Sequence, residues 1–254
     1  MKRLNLYKYG SMNQYAEAMF STNQIWFAPP PQLNDPFECL PWFDFDGTRE
    51  QVLDRLIRFA RRQNPLMTQQ TATAEATAAY LQGHHRDPKI LDALRKDVVR
   101  KLGSDIGICC LSSAPDSILM WSHYGLDHQG YCLEFQAGDR NVLFGEASPV
   151  RYSDDFPIVN FFNTPIEKQV DLIFLTKYTG WAYEQEWRVF DFRNGPGSRQ
   201  YPMELLTGVT FRLRMPEEDK ARIKEWASRR GKPVRFYQAV QHDHKFSIEI
   251  REID

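Results

Sequence analysis

The sequence lacks the features that mark membrane and disulfide-bonded secreted proteins. No apolar run reaches the roughly 18 residues that a membrane-spanning helix needs, and no apolar stretch follows the Met-Lys-Arg start as it would in a signal peptide. The four cysteines form no C-x-x-C pair, and Cys109 and Cys110 are adjacent within an apolar run. We therefore expect reduced thiols, a cytoplasmic protein and no membrane partner.

Common catalytic and metal-binding signatures are also missing. The chain has no G-x-x-x-x-G-K-[ST], G-x-G-x-x-G, G-x-S-x-G or H-E-x-x-H segment. The pair His84-His85 has no carboxylate or cysteine at ligand spacing, so we expect no metal. A protease pairing Cys110 or Cys132 with His123 is disfavoured, because both cysteines fall in predicted buried strands.

The remaining composition is that of an ordinary globular chain. Its 254 residues suffice for one domain with a sizeable insertion, and 42% are hydrophobic and 26% charged. The formal net charge of -1 demands no polyanionic partner, although a local basic patch is compatible with it. Aromatic residues make up 13%, which favours a ring-lined core or pocket.

Hydrophobic periodicity predicts an α+β fold with mixed, mostly antiparallel sheets. The chain opens with a predicted strand over 4–9, a helix over 12–20 and a strand over 24–28. Later predicted elements are strands at 106–112, 131–135, 141–146, 149–152 and 186–192, and a helix at 158–175 broken at 163–165.

Two segments are predicted to surround this core within a single domain spanning 1–254. The segment at about 48–102 is rich in Ala, Gln, Arg and Thr and predicts a helical insertion with helices at 48–62, 68–82 and 88–101. The last segment, at about 205–254, predicts a β-α-β-β tail. Its helix begins at Pro216 and has acidic residues in its first turn.

The stretch Ile118–Phe135, ILMWSHYGLDHQGYCLEF, is the most unusual in the chain. Trp121, His123 and Tyr124 carry rings that both pack and hydrogen-bond, and they precede a predicted turn at 125–130. The following Tyr131–Phe135 alternates as a strand does. The stretch is compatible with a pocket wall and with an aromatic corner that closes the core.

A second polar and aromatic stretch, at 177–192, reads KYTGWAYEQEWRVFDF. Glu184 and Glu186 are two residues apart, so on a regular strand they share a face and repel each other. Arg188 would extend along the same face and compensate. A structural Glu–Arg ladder on an exposed strand is the alternative, although the flanking aromatic residues argue against a plain solvated face.

The turn Asn34-Asp35-Pro36-Phe37-Glu38 gathers an amide and two carboxylates beside a ring. A plain turn explains most such sequences. We expect the first and the late strands to meet, which would bring Lys8, His123 and Glu186 into one cleft.

Four blocks together resemble the bacterial and phage family known as domain of unknown function 2971. The blocks are LYKY at 6–9, WFAPPPQLNDPFE at 26–38, CCLSS…ILMWSHYG…GYCLEF at 109–135, and WAYEQEWRVF at 181–190. They span most of the chain, and the family name implies no activity.

A weaker resemblance is to the ADP-ribosyltransferase fold. In that superfamily the first strand carries a His or Arg that contacts NAD, a middle strand supplies an aromatic residue or Ser, and a late strand carries the catalytic Glu. Tyr131 resembles the middle-strand aromatic, and Glu184-Gln185-Glu186 resembles the late Glu-x-Glu. The first-strand position departs from the pattern, since it holds Lys8 between Tyr7 and Tyr9, and Lys lacks the fork of Arg.

This resemblance implies NAD as substrate. Breaking the nicotinamide–ribose bond develops oxocarbenium character, which a carboxylate stabilises. Glu186 would fill that role, and Glu184 would orient or deprotonate the acceptor. The implied NAD-contacting residues are Tyr7, Lys8, Tyr9, Asn34, Asp35, Trp121, Tyr124, Tyr131 and Arg188. Of these, the resemblance assigns Trp121, Tyr124 and Tyr131 to ring stacking and Lys8 and Arg188 to the pyrophosphate.

Three points stay open at this level. His123 could hydrogen-bond the ribose or satisfy a core partner. The acceptor could be a protein, a nucleic acid or a small molecule, in a toxin or phage-defence setting. A non-catalytic nucleic-acid-binding or sensing module is the rival function, because clustered rings with Lys and Arg stack bases, and a purely interacting protein is the third.

Overall fold

An eight-stranded sheet forms the centre of the structure, a computed structural model that describes residues 4–124, 130–137 and 143–254. The strands are β1 (Leu4–Gly10), β2 (Gln24–Phe27), β3 (Trp42–Asp44), β4 (Gly107–Ser112), β5 (Tyr131–Ala137), β6 (Ser148–Pro149), β7 (Arg151–Ser153), β8 (Ile158–Asn160), β9 (Thr176–Tyr178), β10 (Glu186–Asp191), β11 (Gly197–Gln200), β12 (Leu206–Phe211), β13 (Arg235–Gln241) and β14 (Ile248–Ile253). The α-helices are α1 (Ala16–Ser21), α2 (Arg49–Gln63), α3 (Gln69–Leu81), α4 (Pro88–Asp105), α5 (Ile118–Tyr124), α6 (Ile166–Phe174) and α7 (Glu217–Ser228).

The strand order of the large sheet is β14-β13-β12-β5-β1-β4-β10-β6. Its neighbours are antiparallel except β12 and β13, which are parallel and joined through α7. Smaller two-stranded sheets pair β11 with β2, β3 with β8, and β7 with β9. The predicted α+β class with mixed, mostly antiparallel sheets is confirmed.

The alternation in β5 separates two cores. Tyr131, Leu133 and Phe135 are buried in the larger core on one face, whereas Cys132 packs with Trp121 on the other. β1 pairs with β5 along its whole length, from Leu4 opposite Ala137 to Gly10 opposite Tyr131. The two-residue period of the sequence therefore predicted the faces of this strand correctly.

The segment at 48–102 folds into the three predicted helices. Thr48 caps α2 in a reciprocal capping box with Gln51, because each residue's side chain accepts the other's backbone N–H. Asp87 caps α4 and Pro88 occupies its first turn. α4 packs its partly buried Leu94 and Val98 against a second core with Phe43 and Phe174.

Several predicted elements differ in the structure. The predicted helix at 158–175 begins instead with β8, which pairs in parallel with β3, and only α6 is helical. The predicted strand at 141–146 is a turn over 143–146, and residues 141–142 lie outside the described residues, as do 125–129 of the predicted 125–130 turn. The strand predicted over 24–28 is confirmed as β2, which lies outside the large sheet and pairs with β11.

The expectation that the first and late strands meet is wrong, because β4 lies between β1 and β10. Ser112 of β4 is opposite both Tyr7 and Glu186. Ala28 and Ile108 exchange two backbone hydrogen bonds, which attach the loop leading to Glu38 to this same strand. β4 is therefore the strand that brings the distant polar segments together.

The tail adds β12, β13 and β14 to one edge of the large sheet, with α7 as the crossover. Its β-α-β-β order agrees with the prediction. Among the described residues, no helix combines the length and the apolar character that crossing a membrane requires.

Candidate functional site

Five charged side chains form a buried ion network where three segments meet. They are Glu38, Lys177, Glu184, Glu186 and Arg188, and each has a side chain at most 5% exposed. Buried charges are costly unless they are paired and hydrogen-bonded. The fold keeps all five in contact, so their arrangement is the most unusual electrostatic feature among the described residues.

Arg188 holds one half of this network. Its Nε and Nη2 donate to Oε1 and Oε2 of Glu186 at 2.7 and 2.9 Å, a bidentate pair. Nη2 also donates to Glu38, and Nη1 donates to the Phe174 carbonyl at 2.8 Å. All three nitrogens of the guanidinium are thus occupied by protein acceptors.

Lys177 holds the other half. Its Nζ lies 2.6 Å from Glu184 Oε2, 3.2 Å from Glu186 Oε2 and 3.9 Å from Glu38 Oε1. On Glu184, the other oxygen accepts from the Tyr124 hydroxyl at 2.5 Å and from the Asn34 amide at 3.5 Å. Glu184 therefore has neutral donors on one oxygen, whereas Arg188 engages both oxygens of Glu186.

The network is one cation short, since three carboxylates face two cations. Burial alone would raise the pKa of Glu186, but Arg188 and Lys177 lower it to about 2. Burial would lower the pKa of Lys177, but Glu186, Glu38 and Glu184 raise it above its ordinary value.

Glu38 behaves differently from Glu186 although both contact Arg188. Burial raises the pKa of Glu38, and this effect outweighs the opposing influence of Arg188 and Lys177. We attribute the difference to the bidentate contact, which Arg188 makes with Glu186 alone. The three carboxylates therefore differ in their electrostatics, since the pKa of Glu38 is raised and that of Glu186 is lowered.

The backbone is strained beside the network. Gln185, between the two glutamates, has φ 43°, and Cys39, directly after Glu38, has φ 59°. Residues other than glycine rarely adopt this left-handed backbone conformation, and those that do are often found at functional sites. Glu184 ends a 3₁₀ helix and Glu186 begins β10, so the strand predicted over 186–192 is confirmed and the two glutamates do not share the face of one regular strand. The left-handed Gln185 turns both carboxylates toward Lys177.

A cavity of about 340 Å³ opens above the network, which we call the tyrosine cavity. Its walls include Tyr7, Lys8, Tyr9, Trp26, Asn34, Met120 and Tyr124, and its charged floor includes Lys177, Glu184 and Glu186. Lys8 donates to the Cys110 carbonyl at 3.1 Å, which fixes its ammonium at the wall. The volume lies within the range of about 300–1,000 Å³ typical of small-molecule sites.

The tyrosine cavity unites most of the sequence-predicted site residues. It brings together Tyr7, Lys8, Tyr9, Asn34, Tyr124, Glu184 and Glu186. Burial raises the pKa of Tyr7 to about 12, and burial followed by the Glu184 contact raises that of Tyr124, so both stay protonated donors at neutral pH.

The remaining predicted residues lie elsewhere. Trp121 is fully buried beneath Tyr9 and donates to the Pro115 carbonyl, and Tyr131 is buried against Phe20. These two rings belong to the cores, so the aromatic-corner interpretation describes them. Because Arg188 is enclosed by Glu38, Glu186 and Phe174, its guanidinium does not line the tyrosine cavity.

His123 and Asp35 flank the site without lining the tyrosine cavity. His123 is exposed, with its ring 5.9 Å from Tyr183 and 6.3 Å from Trp181. The expected cleft of Lys8, His123 and Glu186 therefore includes the first and the last of these residues only. Asp35 is buried and lines a second cavity.

The sequence did not predict Lys177 or Glu38 as site residues. Lys177 lies on β9, where its buried side chain alternates with the exposed Tyr178. Because Lys is rarely buried, this alternation did not suggest that Lys177 is the inward-facing residue. Glu38 was visible only as a second carboxylate in the 34–38 turn. Glu38 becomes a site residue through Lys177 and Arg188, which are distant in sequence. Lys177 becomes one through Glu38 and through Glu184 and Glu186, which follow it closely in sequence.

The geometry of the described residues argues against a cysteine nucleophile and groups no metal ligands. Burial raises the pKa of the Cys110 and Cys132 thiols, which disfavours the thiolate that a protease needs. Over residues 4–124, 130–137 and 143–254, no three His, Cys, Asp or Glu side chains are grouped as metal ligands. His85 instead stacks on Tyr80 at 4.3 Å.

Several basic residues of the helical segment have local acidic partners. Arg58 pairs with Asp54 on α2, and both Arg100 and Lys101 pair with Asp97 on α4. These exposed pairs reduce the local positive charge that a nucleic-acid-binding face would use.

The comparisons with known proteins identify one family. Residues 120–189 match the family described as Protein of unknown function (DUF2971), which confirms the predicted resemblance. The matched stretch carries Tyr124, Lys177, Glu184 and Glu186. No match was found among curated proteins or solved structures. The resemblance to ADP-ribosyltransferases stays a prediction.

Proposed function

We propose that the tyrosine cavity binds NAD and that the protein transfers its ADP-ribose group to water or another acceptor. The observation that carries the proposal is the pair of carboxylates on the floor of an aromatic cavity, in a network with one negative charge in excess. The nicotinamide ring of NAD is cationic, and aromatic faces and carboxylates both attract cations.

Glu184 is the carboxylate we assign to the reacting carbon. Its Oε1 has only the neutral donors Tyr124 and Asn34, which a ligand displaces more readily than the bidentate Arg188 on Glu186. The assignment therefore exchanges the roles expected from the sequence. Glu186 would hold Lys177 and Arg188 in place, and Glu184 would stabilise the developing oxocarbenium charge.

The step is a substitution at the ribose carbon. The bond to the nicotinamide nitrogen breaks, and nicotinamide leaves with the electron pair and becomes neutral. An oxygen of water or of an acceptor forms the new bond, and Glu184 accepts its proton. No oxidant or reductant is required.

The walls of the cavity provide binding groups for the rest of the ligand. Tyr7, Tyr9 and Tyr124 contribute aromatic rings to the walls, and Lys8 offers a point charge for a phosphate. The cavity would hold the nicotinamide riboside half, with the remaining nucleotide toward the opening. An enzyme that hydrolyses NAD depletes it, so a toxin or phage-defence role belongs to the same proposal.

The proposal is tested with the variant Glu184→Gln, which removes the charge and keeps the shape. Nicotinamide release is measured by chromatography and NAD binding by calorimetry. We expect the variant to retain the binding affinity within about threefold and to lose turnover by at least about a hundredfold, as charge-stabilising groups commonly do.

Asp191→Asn is the matched control, since Asp191 is a carboxylate at the far end of β10, which begins at Glu186, and pairs with Arg199 outside the cavity. It should leave turnover unchanged. The proposal is refuted if the unaltered protein neither binds NAD nor releases nicotinamide, or if Glu184→Gln turns over NAD as fast as the control.

A further inference from the structure

A second cavity, of about 470 Å³, shares Lys177 with the tyrosine cavity and otherwise has a different lining. We call it the acidic cavity. It is formed where the 35–40 turn faces the end of β7 and β9, and Lys177 lines both cavities. Nothing in the proposed reaction uses it.

The charge of the acidic cavity is strongly one-sided. Four carboxylates, from Asp35, Glu38, Asp154 and Asp155, line it together with a single cation, Lys177. Glu38 pairs with the buried Arg188, and Lys177 pairs most closely with Glu184, so the excess negative charge is carried by Asp35, Asp154 and Asp155. The potential inside the cavity is therefore negative, and it favours a cationic ligand.

The walls of the acidic cavity are aromatic. Phe37, Phe156 and Tyr178 line it and are 66%, 51% and 56% exposed, respectively. Trp181 already interacts with a cation, since Lys177 lies 5.0 Å from its ring centroid. Large apolar rings left exposed around a concavity commonly mark a binding site.

We propose that the acidic cavity binds a small organic cation with an apolar body, of the quaternary ammonium type. The charged group of such a ligand packs against aromatic ring faces, which the walls provide. Its positive charge is also attracted by the carboxylates of the acidic cavity. This site goes beyond the proposed function and does not depend on NAD binding.

The experiment compares two ligands of the same shape by calorimetry at low ionic strength. Choline carries the positive charge, and 3,3-dimethylbutan-1-ol is its neutral carbon analogue. We expect saturable choline binding at least about tenfold tighter than binding of the neutral alcohol. Equal affinities, or no saturable choline binding, would overturn the proposal.

The location is tested with the double variant Phe37→Leu and Tyr178→Leu, which keeps apolar bulk and removes two ring faces. Choline affinity should fall at least about fivefold. Phe246→Leu is the control, because Phe246 is a fully exposed ring remote from the cavity lining. Unchanged choline affinity in the double variant would refute the location.

A second variant, which changes only a charge at the rim, tests the same location if the double variant folds poorly. Asp155→Asn removes an exposed carboxylate of the rim and leaves the Ser153 turn, which uses the Asp155 backbone, intact. Choline affinity should fall by about twofold or more, whereas affinity for the neutral alcohol should stay the same. A parallel change for both ligands would contradict a cation site.

Discussion

Replacing Glu186 by Gln should destabilise the protein substantially. The substitution removes a charge from Arg188, which is completely buried and bonded to both oxygens of Glu186. Removing one partner of a buried ion pair typically costs about 3–5 kcal/mol. We expect the lower end, about 3 kcal/mol at neutral pH, because Gln keeps one acceptor oxygen and Glu38 still pairs with Arg188.

The lowered pKa of Glu186 expresses the stabilisation by these ion pairs as a free energy. Its decrease from 4.5 to about 2 corresponds to about 3 kcal/mol of stability at neutral pH. Because the folded-state pKa is lowered, this stability is present above pH 4.5 and is lost as the pH falls toward 2. Glu38 has a raised pKa and contributes with the opposite sign, and the charge of Glu186 is one of the causes that raise it. Removing that charge in Glu186→Gln lowers the pKa of Glu38, which offsets part of the loss and agrees with the lower end of the expected range.

The assay is urea unfolding followed by tryptophan fluorescence between pH 7 and pH 3. The difference in unfolding free energy between the unaltered protein and Glu186→Gln should be largest at pH 7 and shrink below pH 4.5. Glu249→Gln, on an exposed edge pair with Arg251, is the control and should change stability little. A higher stability of Glu186→Gln at pH 7 would refute this reasoning, because it would mean that repulsion between Glu184 and Glu186 dominates.

Two further substitutions test the parts of the site that lie around Glu186. Lys177→Met should lower the unfolding free energy by about 3–5 kcal/mol, because it leaves Glu184 buried beside neutral donors only; a melting temperature within 2 °C of the unaltered protein, by scanning fluorimetry, would contradict this. Gln185→Gly should change stability by less than about 1 kcal/mol, whereas Gln185→Val should lower it by more than that, since φ 43° suits glycine and not a β-branched residue. Equal urea midpoints for these two variants would argue against strain at this position.

The elements that sequence reasoning located well are those specified by local signals. The helices of the 48–102 segment have their caps at Thr48, Thr68 and Asp87, within the first turns that the sequence predicted. In β5, strict alternation assigned both faces correctly. Caps and alternation are properties of adjacent residues, so no knowledge of the tertiary fold is needed to recognise them.

The elements that were mispredicted depend on distant partners. Ile158–Asn160 is a strand because Trp42–Asp44 is available to pair with it in parallel. Three residues are too few for hydrophobic periodicity to distinguish this strand from the helix that follows it. The strand predicted over 24–28 is confirmed as β2, but its partner β11 begins about 170 residues further along the chain, so local pattern could not predict the pairing.

The site shows the same division. Glu184 and Glu186 were found because two carboxylates so close together need compensation, and Arg188 was found as a partner. Lys177 was missed because a lysine next to an exposed tyrosine reads as a surface residue. Its burial follows only when Glu38, from a distant segment, joins Glu184 and Glu186 around it.

Replacing Glu38, Glu186 and Arg188 together by apolar residues should restore the stability that single substitutions lose. In the triple variant Glu38→Leu, Glu186→Leu and Arg188→Met, no charge remains unpaired, because Lys177 and Glu184 still form a neutral pair at 2.6 Å. Buried ion clusters replaced by apolar groups of similar size are often as stable as before, or more stable by about 1–4 kcal/mol. The triple variant should therefore unfold at higher urea than Glu186→Gln, and the single effects should not add. Because Glu186 holds Lys177 in place in the proposed function, the triple variant should lack NAD turnover although it keeps Glu184. A triple variant less stable than each of its single variants would show that packing around Arg188, and not charge pairing, maintains this part of the fold.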